Sequence, residues 1–146
     1  MSTRSKKSLK RYLVSQVKSD LSERIVFVGG PRQVGKTTLA LSLLRPSSTK
    51  SKRYLNWDFA EDREILRQHT LPFDSGLIVL DEVHKFARWR SLIKGYYDKF
   101  SPDLQLLVTG SARLDHYRKG GDSLVGRYHY HRLHPLSLRE VNRRPT

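Results

Sequence analysis

Short apolar runs recur along the chain and are separated by longer segments in which polar and apolar positions mix. The three most apolar runs lie at 25–28, 77–80 and 104–108. A continuous apolar run of this length is typical of a strand buried on both faces, so these three are predicted as inner strands of a parallel sheet. Two further strands are predicted at 53–57, which is rich in aromatic residues, and at 127–133, where side-chain character alternates.

Helices are predicted in the segments between these strands. Pro46 cannot continue a helix, so the helix that starts at Lys36 is expected to end near Leu44. Asp58 precedes the next helix and is predicted to cap its N-terminus. Helices are predicted at 36–44, 60–68 and 89–100. Near the start of the sequence, one face of a helix is formed by Leu9, Tyr12, Leu13, Val17 and Leu21. A loop with some helix is expected within 115–125, and another helix is expected from 136 onwards. This alternation predicts an α/β fold, a three-layer sandwich with helices on both faces of a parallel sheet of about five strands.

The composition agrees with a single domain. The chain has 146 residues, of which 37% are hydrophobic, and this is enough to build a core. We predict a basic N-terminal arm and helix at 1–20, followed by a core at 21–146. No apolar run approaches the roughly 20 residues that a membrane-spanning helix needs, so no membrane partner is expected.

The chain contains no cysteine, which excludes disulfides and thiolate metal sites. This favours a reducing compartment, and a cytoplasmic location is predicted. The first 19 residues carry six Lys or Arg and no acid, without the apolar core of a secretory signal. A transit peptide shares this composition and is the alternative to a basic arm.

The formal net charge is +14 and the isoelectric point is about 10.4. Such an excess favours polyanionic partners, namely nucleic acid, an acidic protein or an anionic membrane surface. Lys and Arg are concentrated near the two ends of the sequence, and no basic motif interleaved with aromatic residues is present. Nucleic acid is therefore predicted as an alternative partner rather than as the leading one.

The segment between the first apolar run and the following helix fits the phosphate-binding pattern G-x-x-x-x-G-K-[ST]. Its glycines let consecutive backbone N–H groups face an anion, and the following helix turns its positive end toward the same place. Lys36 adds a mobile positive charge, and the Thr37 hydroxyl is a ligand that suits Mg²⁺. The predicted nucleotide-binding residues are Gly30, Pro31, Arg32, Gln33, Val34, Gly35, Lys36, Thr37 and Thr38.

An acidic pair, Asp81 and Glu82, directly follows the apolar run at 77–80. Ligands of open α/β sheets bind at the carboxyl ends of strands, and the phosphate loop also follows a strand. Asp81 is therefore expected beside the loop, where it and Thr37 would be the metal-binding residues. Glu82 is predicted to polarise a water molecule for attack on the terminal phosphate.

Two weaker candidates complete the predicted catalytic set. Ser111 or Thr109, after the run at 104–108, offers a hydroxyl that could orient the attacking water, although a helix cap is an equal explanation. Arg127 could stabilise the charge that grows on the terminal phosphate, with Arg113 a lesser candidate.

Three histidines near the end of the sequence, His129, His131 and His134, suggest a metal cluster at first sight. On a strand, His129 and His131 would share one face. No third ligand at a fixed spacing is evident, so a surface or interface role is predicted instead of a zinc site.

The order of these motifs resembles that of AAA+-type prokaryotic ATP-binding proteins. The resemblance runs from about Tyr12 to the end of the sequence and is carried by the segments 30–38, 80–84, 108–114, 122–128 and 133–140. It implies the fold of a P-loop NTPase and an ATPase core that uses ATP and Mg²⁺. Longer members continue into an additional C-terminal domain, so this chain is expected to be truncated after the core, without a lid.

The resemblance also implies roles for single residues. Lys36 and Thr37 would lie at the phosphates and metal, and Asp81 and Glu82 would be the metal-binding and catalytic acids. Ser111 falls where the family has its sensor hydroxyl, and Arg127 falls in its Gly-Arg pair.

The leading hypothesis is therefore a Mg²⁺-dependent ATPase that acts as a nucleotide-driven switch, with ATP as ligand and a homo-oligomer as a further expected assembly. The alternatives are a nucleotide-binding module without efficient turnover and a basic nucleic-acid-binding protein modulated by ATP. A small-molecule kinase is disfavoured because adjacent acids suit the activation of water, which a kinase must exclude. A GTPase is disfavoured because no Asn-Lys-x-Asp stretch is present to recognise guanine.

Overall fold

The computed structural model describes residues 13–30, 35–110 and 128–133. Strands and helices alternate along these residues, as the sequence predicts. The elements are the helical residues 13–21 (α1), β1 (Ile25–Gly29), α2 (Lys36–Leu41), β2 (Tyr54–Asn56), α3 (Ala60–Arg67), β3 (Gly76–Asp81), a 3₁₀-helix (Val83–Lys85), α4 (Trp89–Phe100), β4 (Leu104–Gly110) and β5 (Tyr128–Arg132).

The strands form one sheet in the order β2-β3-β4-β1-β5, and every neighbouring pair is parallel. All carboxyl ends therefore meet at the same edge of the sheet. The register aligns Asp81 of β3 with Asn56 of β2 on one side and with Thr109 of β4 on the other. The predicted α/β class, with a parallel sheet of about five strands, is confirmed.

The two faces of the sheet are covered by different helices. Ile25 and Phe27 of β1 belong to the apolar cluster that includes residues of α3 and α4, whereas Val26 and Val28 belong to the cluster that includes residues of α1 and α2. Successive side chains of a strand point to opposite faces, so a strand covered on both sides needs an uninterrupted apolar run. This is the physical reason why the inner strands could be recognised in the sequence.

The predicted boundaries differ from the observed ones mainly at the ends of elements. The predicted helix at 89–100 is confirmed as α4. The helix predicted to continue to Leu44 ends at Leu41, because the backbone then tightens into turns in which Leu43 and Leu44 donate to carbonyls three residues back. Leu44 is nevertheless buried, so its apolar character reflects packing after the helix has ended.

The predicted capping role of Asp58 is wrong. Phe59 is the N-cap of α3, and no side chain caps this helix. The backbone N–H of Asp58 instead donates to Oδ1 of Asn56 at 2.8 Å, and its carboxylate accepts two hydrogen bonds from Lys85. An ammonium partner is the stronger attraction for a carboxylate, and its position could not be known before the fold.

The segments predicted as helix within 115–125 and from 136 onwards lie outside the described residues. Among the helices that the structure describes, none combines the length and the apolar character needed to cross a bilayer.

Candidate active site

A cavity of about 310 Å³ opens at the carboxyl edge of the sheet. Its walls come from the start of α2, from the end of β2 and the second residue after it, and from the end of β3 and the residue after it. The lining residues are Gly35, Lys36, Thr37, Thr38, Asn56, Asp58, Asp81 and Glu82. Segments that are far apart in the sequence thus contribute polar side chains to one concave surface.

The start of α2 depends on a glycine. Gly35 is the N-cap residue and has φ +88°, in the left-handed region that residues with a Cβ rarely adopt. Lys36 follows as the first residue of the helix, and only 8% of it is exposed although it carries an ammonium group. A nearly buried lysine in the wall of a polar cavity is suited to bind a bulky anion.

Asp81 is held by three hydroxyl groups from three elements. Its Oδ2 accepts from Thr37 at 3.1 Å and from Tyr54 at 2.5 Å, and its Oδ1 accepts from Thr109 at 2.9 Å. The Tyr54 hydroxyl also accepts from the side-chain amide of Asn56 at 3.2 Å. Burial, followed by the hydrogen bond to Asp81, raises the pKa of Tyr54 above its ordinary value, so Tyr54 stays protonated and donates.

Glu82 follows Asp81 with an unusual backbone conformation. Its φ is +58° and its ψ is +22°, the left-handed region, which turns the chain out of β3 into the 3₁₀-helix. Its side chain is 16% exposed. Burial, followed by the charge of Asp81, raises the pKa of Glu82, while Lys85 and Lys36 oppose this effect. A raised pKa brings a carboxylate closer to the range in which it accepts a proton efficiently near neutral pH.

His84 and Lys85 approach the carboxylate of Glu82 from the 3₁₀-helix. The distances to Oε2 of Glu82 are 3.5 Å from Nε2 of His84 and 3.8 Å from Nζ of Lys85. Burial, followed by the charge of Lys85, lowers the pKa of His84, so its imidazole is neutral at pH 7. Of these two residues, Lys85 therefore supplies the positive charge next to Glu82.

The donor set at the centre of the cavity fits a hard divalent cation. The hydroxyl of Thr37 and the carboxylate of Asp81 offer oxygen atoms, which Mg²⁺ prefers, and their nearest oxygens are 3.1 Å apart. Asp81 is 5% exposed, so its charge is little screened by solvent. These two residues are thus the pair in this cavity that would hold Mg²⁺.

A comparison with protein families adds an independent observation. A family model described as an AAA domain matches residues 22–142. The chain belongs to the AAA domain family. Membership supports nucleotide binding, and it confirms the resemblance to AAA-like P-loop ATPases that the motifs carry. A search of curated proteins found no match.

The described part of this AAA domain brings six of the predicted site residues together. Gly35, Lys36, Thr37, Thr38, Asp81 and Glu82 all line the one cavity. Gly30 directly follows β1 and is buried. The remaining predicted site residues lie outside the described residues; they are Pro31, Arg32, Gln33, Val34, Ser111 and Arg127.

Three residues in or next to the AAA domain cavity were not among the predicted site residues. Tyr54 bonds the carboxylate of Asp81, and Asn56 and Asp58 line the cavity. The rule that located Asp81 also applies to Asn56 and Asp58, because they lie at or just after the carboxyl end of β2, whereas Tyr54 is the first residue of that strand. The missing information was the strand order, which places β2 directly beside β3.

The two histidines of β5, His129 and His131, are not among the residues that line the cavity. Nε2 of His131 is 2.6 Å from Oδ2 of Asp20, and this contact joins the end of the AAA domain sheet to α1. This contact lies within the chain, and the surface or interface role of His131 stays a prediction. His134 lies outside the described residues.

Proposed function

We propose that this AAA domain binds ATP together with Mg²⁺ and hydrolyses it. The observation that carries the proposal is the meeting of Lys36, Thr37, Asp81 and Glu82 around one cavity. A basic residue, a hydroxyl and two carboxylates are the groups that phosphoryl transfer to water requires. Membership of the AAA domain family supports the same conclusion independently.

In this proposal Lys36 binds the outer phosphates of ATP, and Thr37 and Asp81 hold Mg²⁺. The ion would offset negative charge on the phosphate oxygens. Tyr54 and Thr109 fix the orientation of the Asp81 carboxylate through their hydroxyl groups. The phosphate loop, predicted from the sequence at residues 30–38, would cradle the phosphates through its backbone N–H groups, which all of these residues except Pro31 carry.

Glu82 acts as the general base. Its carboxylate accepts a proton from water as the water oxygen forms a bond to the γ-phosphorus. The bond between the γ-phosphorus and the β–γ bridging oxygen breaks, and its electron pair leaves with ADP. Ser111 as a sensor hydroxyl and Arg127 as a charge-stabilising residue remain sequence-based predictions within this proposal, as does the role of a nucleotide-driven switch.

Steady-state phosphate release with and without Mg²⁺ tests the proposal. Glu82→Gln should retain ATP binding and lose about 10²- to 10⁴-fold in kcat, the usual contribution of a general base. Glu61→Gln, which changes an exposed acid on α3, is the matched control and should leave kcat unchanged.

The outcomes separate the alternatives. An unchanged rate in Glu82→Gln would remove Glu82 as the base. ATP binding by the wild type without release of phosphate would reject hydrolysis and favour a nucleotide-binding module without turnover.

A further inference from the structure

We propose that Asp58 and Lys85 are positioning residues for Glu82, and that Asp58 holds the Lys85 ammonium beside the Glu82 carboxylate without letting the two pair tightly. The inference rests on the proposed function, since it concerns the residue assigned there as the base. It adds two charged residues to the site, neither of which belongs to the phosphate loop or to the acidic pair.

The backbone turn that follows β3 places Lys85 next to Glu82. The left-handed conformation of Glu82 ends β3, and the next three residues form the 3₁₀-helix. The backbone N–H of Lys85 donates to the carbonyl of Glu82 at 3.2 Å, which closes this turn. The Lys85 side chain then reaches the Glu82 side chain, with 3.8 Å between Nζ and Oε2.

Asp58 is fixed independently, from the end of β2. Its N–H donates to Oδ1 of Asn56, and the N–H of the preceding Trp57 donates to the carbonyl of Asp81 at 3.0 Å. Asp58 accordingly lies in the wall of the cavity. It accepts hydrogen bonds from Nζ of Lys85 at 2.8 Å and 3.1 Å.

The distances show an unequal sharing of one ammonium between two carboxylates. Nζ of Lys85 is 2.8 Å from Oδ1 of Asp58 but 3.8 Å from Oε2 of Glu82. Glu82 thus lies next to a positive charge but outside hydrogen-bond distance, so its lone pairs stay available for a water molecule. Without Asp58, Lys85 could move onto Glu82; without Lys85, Glu82 would lose the charge that orients it.

The Asp58–Lys85 pair is half-exposed, with side-chain exposures of 44% and 40%. Ion pairs this exposed contribute little to folding. Their removal is therefore expected to change the rate rather than the fold. An ion pair of the same kind on α4, Lys94 with Asp98 at 3.2 Å and exposures of 39% and 38%, provides a matched control away from the cavity.

The first measurement is the steady-state kinetics of four variants. Asp58→Asn and Lys85→Met should each lower kcat about tenfold with KM nearly unchanged, less than the roughly hundredfold cost of displacing a reacting group by 1 Å. Lys85→Arg should recover much of the loss, because it keeps the charge. Lys94→Met should match the wild type.

The second measurement does not depend on turnover. In nucleotide-free protein, the ¹³C resonance of the Glu82 side-chain carboxyl is assigned by its disappearance in Glu82→Gln. Lys85→Met and Asp58→Asn should both shift this resonance, whereas Lys94→Met should leave it in place. A merely structural role for the Asp58–Lys85 pair would not move it.

An unmoved resonance overturns the inference, whatever the rates are. An unchanged kcat of Lys85→Met in an active wild type overturns it as well. A moved resonance in a protein that releases no phosphate would instead reject the proposed hydrolysis and leave the positioning of Glu82 standing. The failure of one proposal is thus distinguishable from the failure of the other.

Discussion

Asp81 connects three strands and a helix through a single side chain. Its carboxylate accepts hydroxyl groups from Thr37 on α2, Tyr54 on β2 and Thr109 on β4. A carboxylate that is 5% exposed needs such donors, because burying an unpaired charge is costly. The same donors fix its orientation, so the stability of the site and its proposed metal binding depend on the same contacts.

A substitution of Tyr54 tests most directly whether stability and metal binding depend on the same contacts. Tyr54→Phe keeps the ring and removes one donor from a buried charge. Hydrogen bonds to charged groups contribute about 1.5–3 kcal/mol, so the free energy of unfolding should fall by roughly that amount. The Mg²⁺ concentration needed for half-maximal ATP hydrolysis should rise about tenfold or more, as for other residues that orient a metal ligand. Urea unfolding and a Mg²⁺ titration measure the two effects.

Tyr97→Phe is the control for this prediction. The Tyr97 hydroxyl donates to the neutral carbonyl of Glu23 at 2.9 Å, away from the cavity. Its loss should cost about 1 kcal/mol or less and leave the Mg²⁺ dependence unchanged. If Tyr54→Phe behaved like Tyr97→Phe in both measurements, the anchoring of Asp81 by Tyr54 would be refuted.

At the level of elements, the sequence was informative wherever burial constrains composition. The runs at 25–28, 77–80 and 104–108 are apolar because helices cover both faces of the sheet, and each proved to be an inner strand. The two edge strands, β2 and β5, are less uniformly apolar, and their aromatic or alternating character still indicated their positions. The acidic pair after β3 could be placed beside the phosphate loop by the geometry of parallel strands alone.

The rest of the site depends on contacts between elements that no local pattern contains. The left-handed turn at Glu82 is adopted by a residue other than glycine, so no glycine indicated it. The partner of Asp58 is Lys85, 27 residues further along the chain, and only the adjacency of β2 and β3 brings them together. Local propensity favoured a helix cap for Asp58, and tertiary contacts decided otherwise.

Gly29, directly before the phosphate loop, lies against the side chain of Tyr130. It ends β1 and pairs with Arg132 of β5, and a Cβ at this position would overlap the hydroxyl of Tyr130 and lie 3.0 Å from its Cζ. Gly29→Ala should therefore lower the free energy of unfolding by about 1–3 kcal/mol, as overpacking does. Chemical denaturation of both proteins measures the difference.

The chain provides a control with the same chemical change. Gly95 lies inside α4, where an added Cβ meets nothing within 4 Å. Gly95→Ala should raise stability by up to about 1 kcal/mol, because alanine favours the helix. The loss in Gly29→Ala should shrink in a Tyr130→Phe background, which removes the nearest overlapping atom. Equal effects of Gly29→Ala and Gly95→Ala would contradict the close contact between Gly29 and the Tyr130 side chain.

For the whole molecule, the net positive charge and the cavity at the carboxyl edge of the sheet both favour the binding of an anion. The chain carries 28 Lys or Arg against 14 acidic residues. A net positive charge attracts anions over distances of about the Debye length, roughly 8 Å at physiological salt. The long-range field favours any polyanion, but discrimination among polyanions must come from the shape and donors of the cavity. Binding of ATP is thus expected to depend on Lys36 far more than on any single exposed lysine.

A ligand that binds only the folded state stabilises the whole molecule. The dependence of ATP binding on Lys36 can therefore be measured as a change in Tm. At 100 times its Kd, MgATP should add about 2.7 kcal/mol, which corresponds to a rise in Tm of roughly 5–10 °C for a chain of this size. Lys36→Ala removes the buried ammonium from the cavity wall and should abolish the rise, whereas Lys94→Ala on α4 should retain it. An equal rise in Lys36→Ala and Lys94→Ala would mean that ATP binds through the general positive field or at another site, because a nucleotide held in this cavity cannot be indifferent to the loss of Lys36.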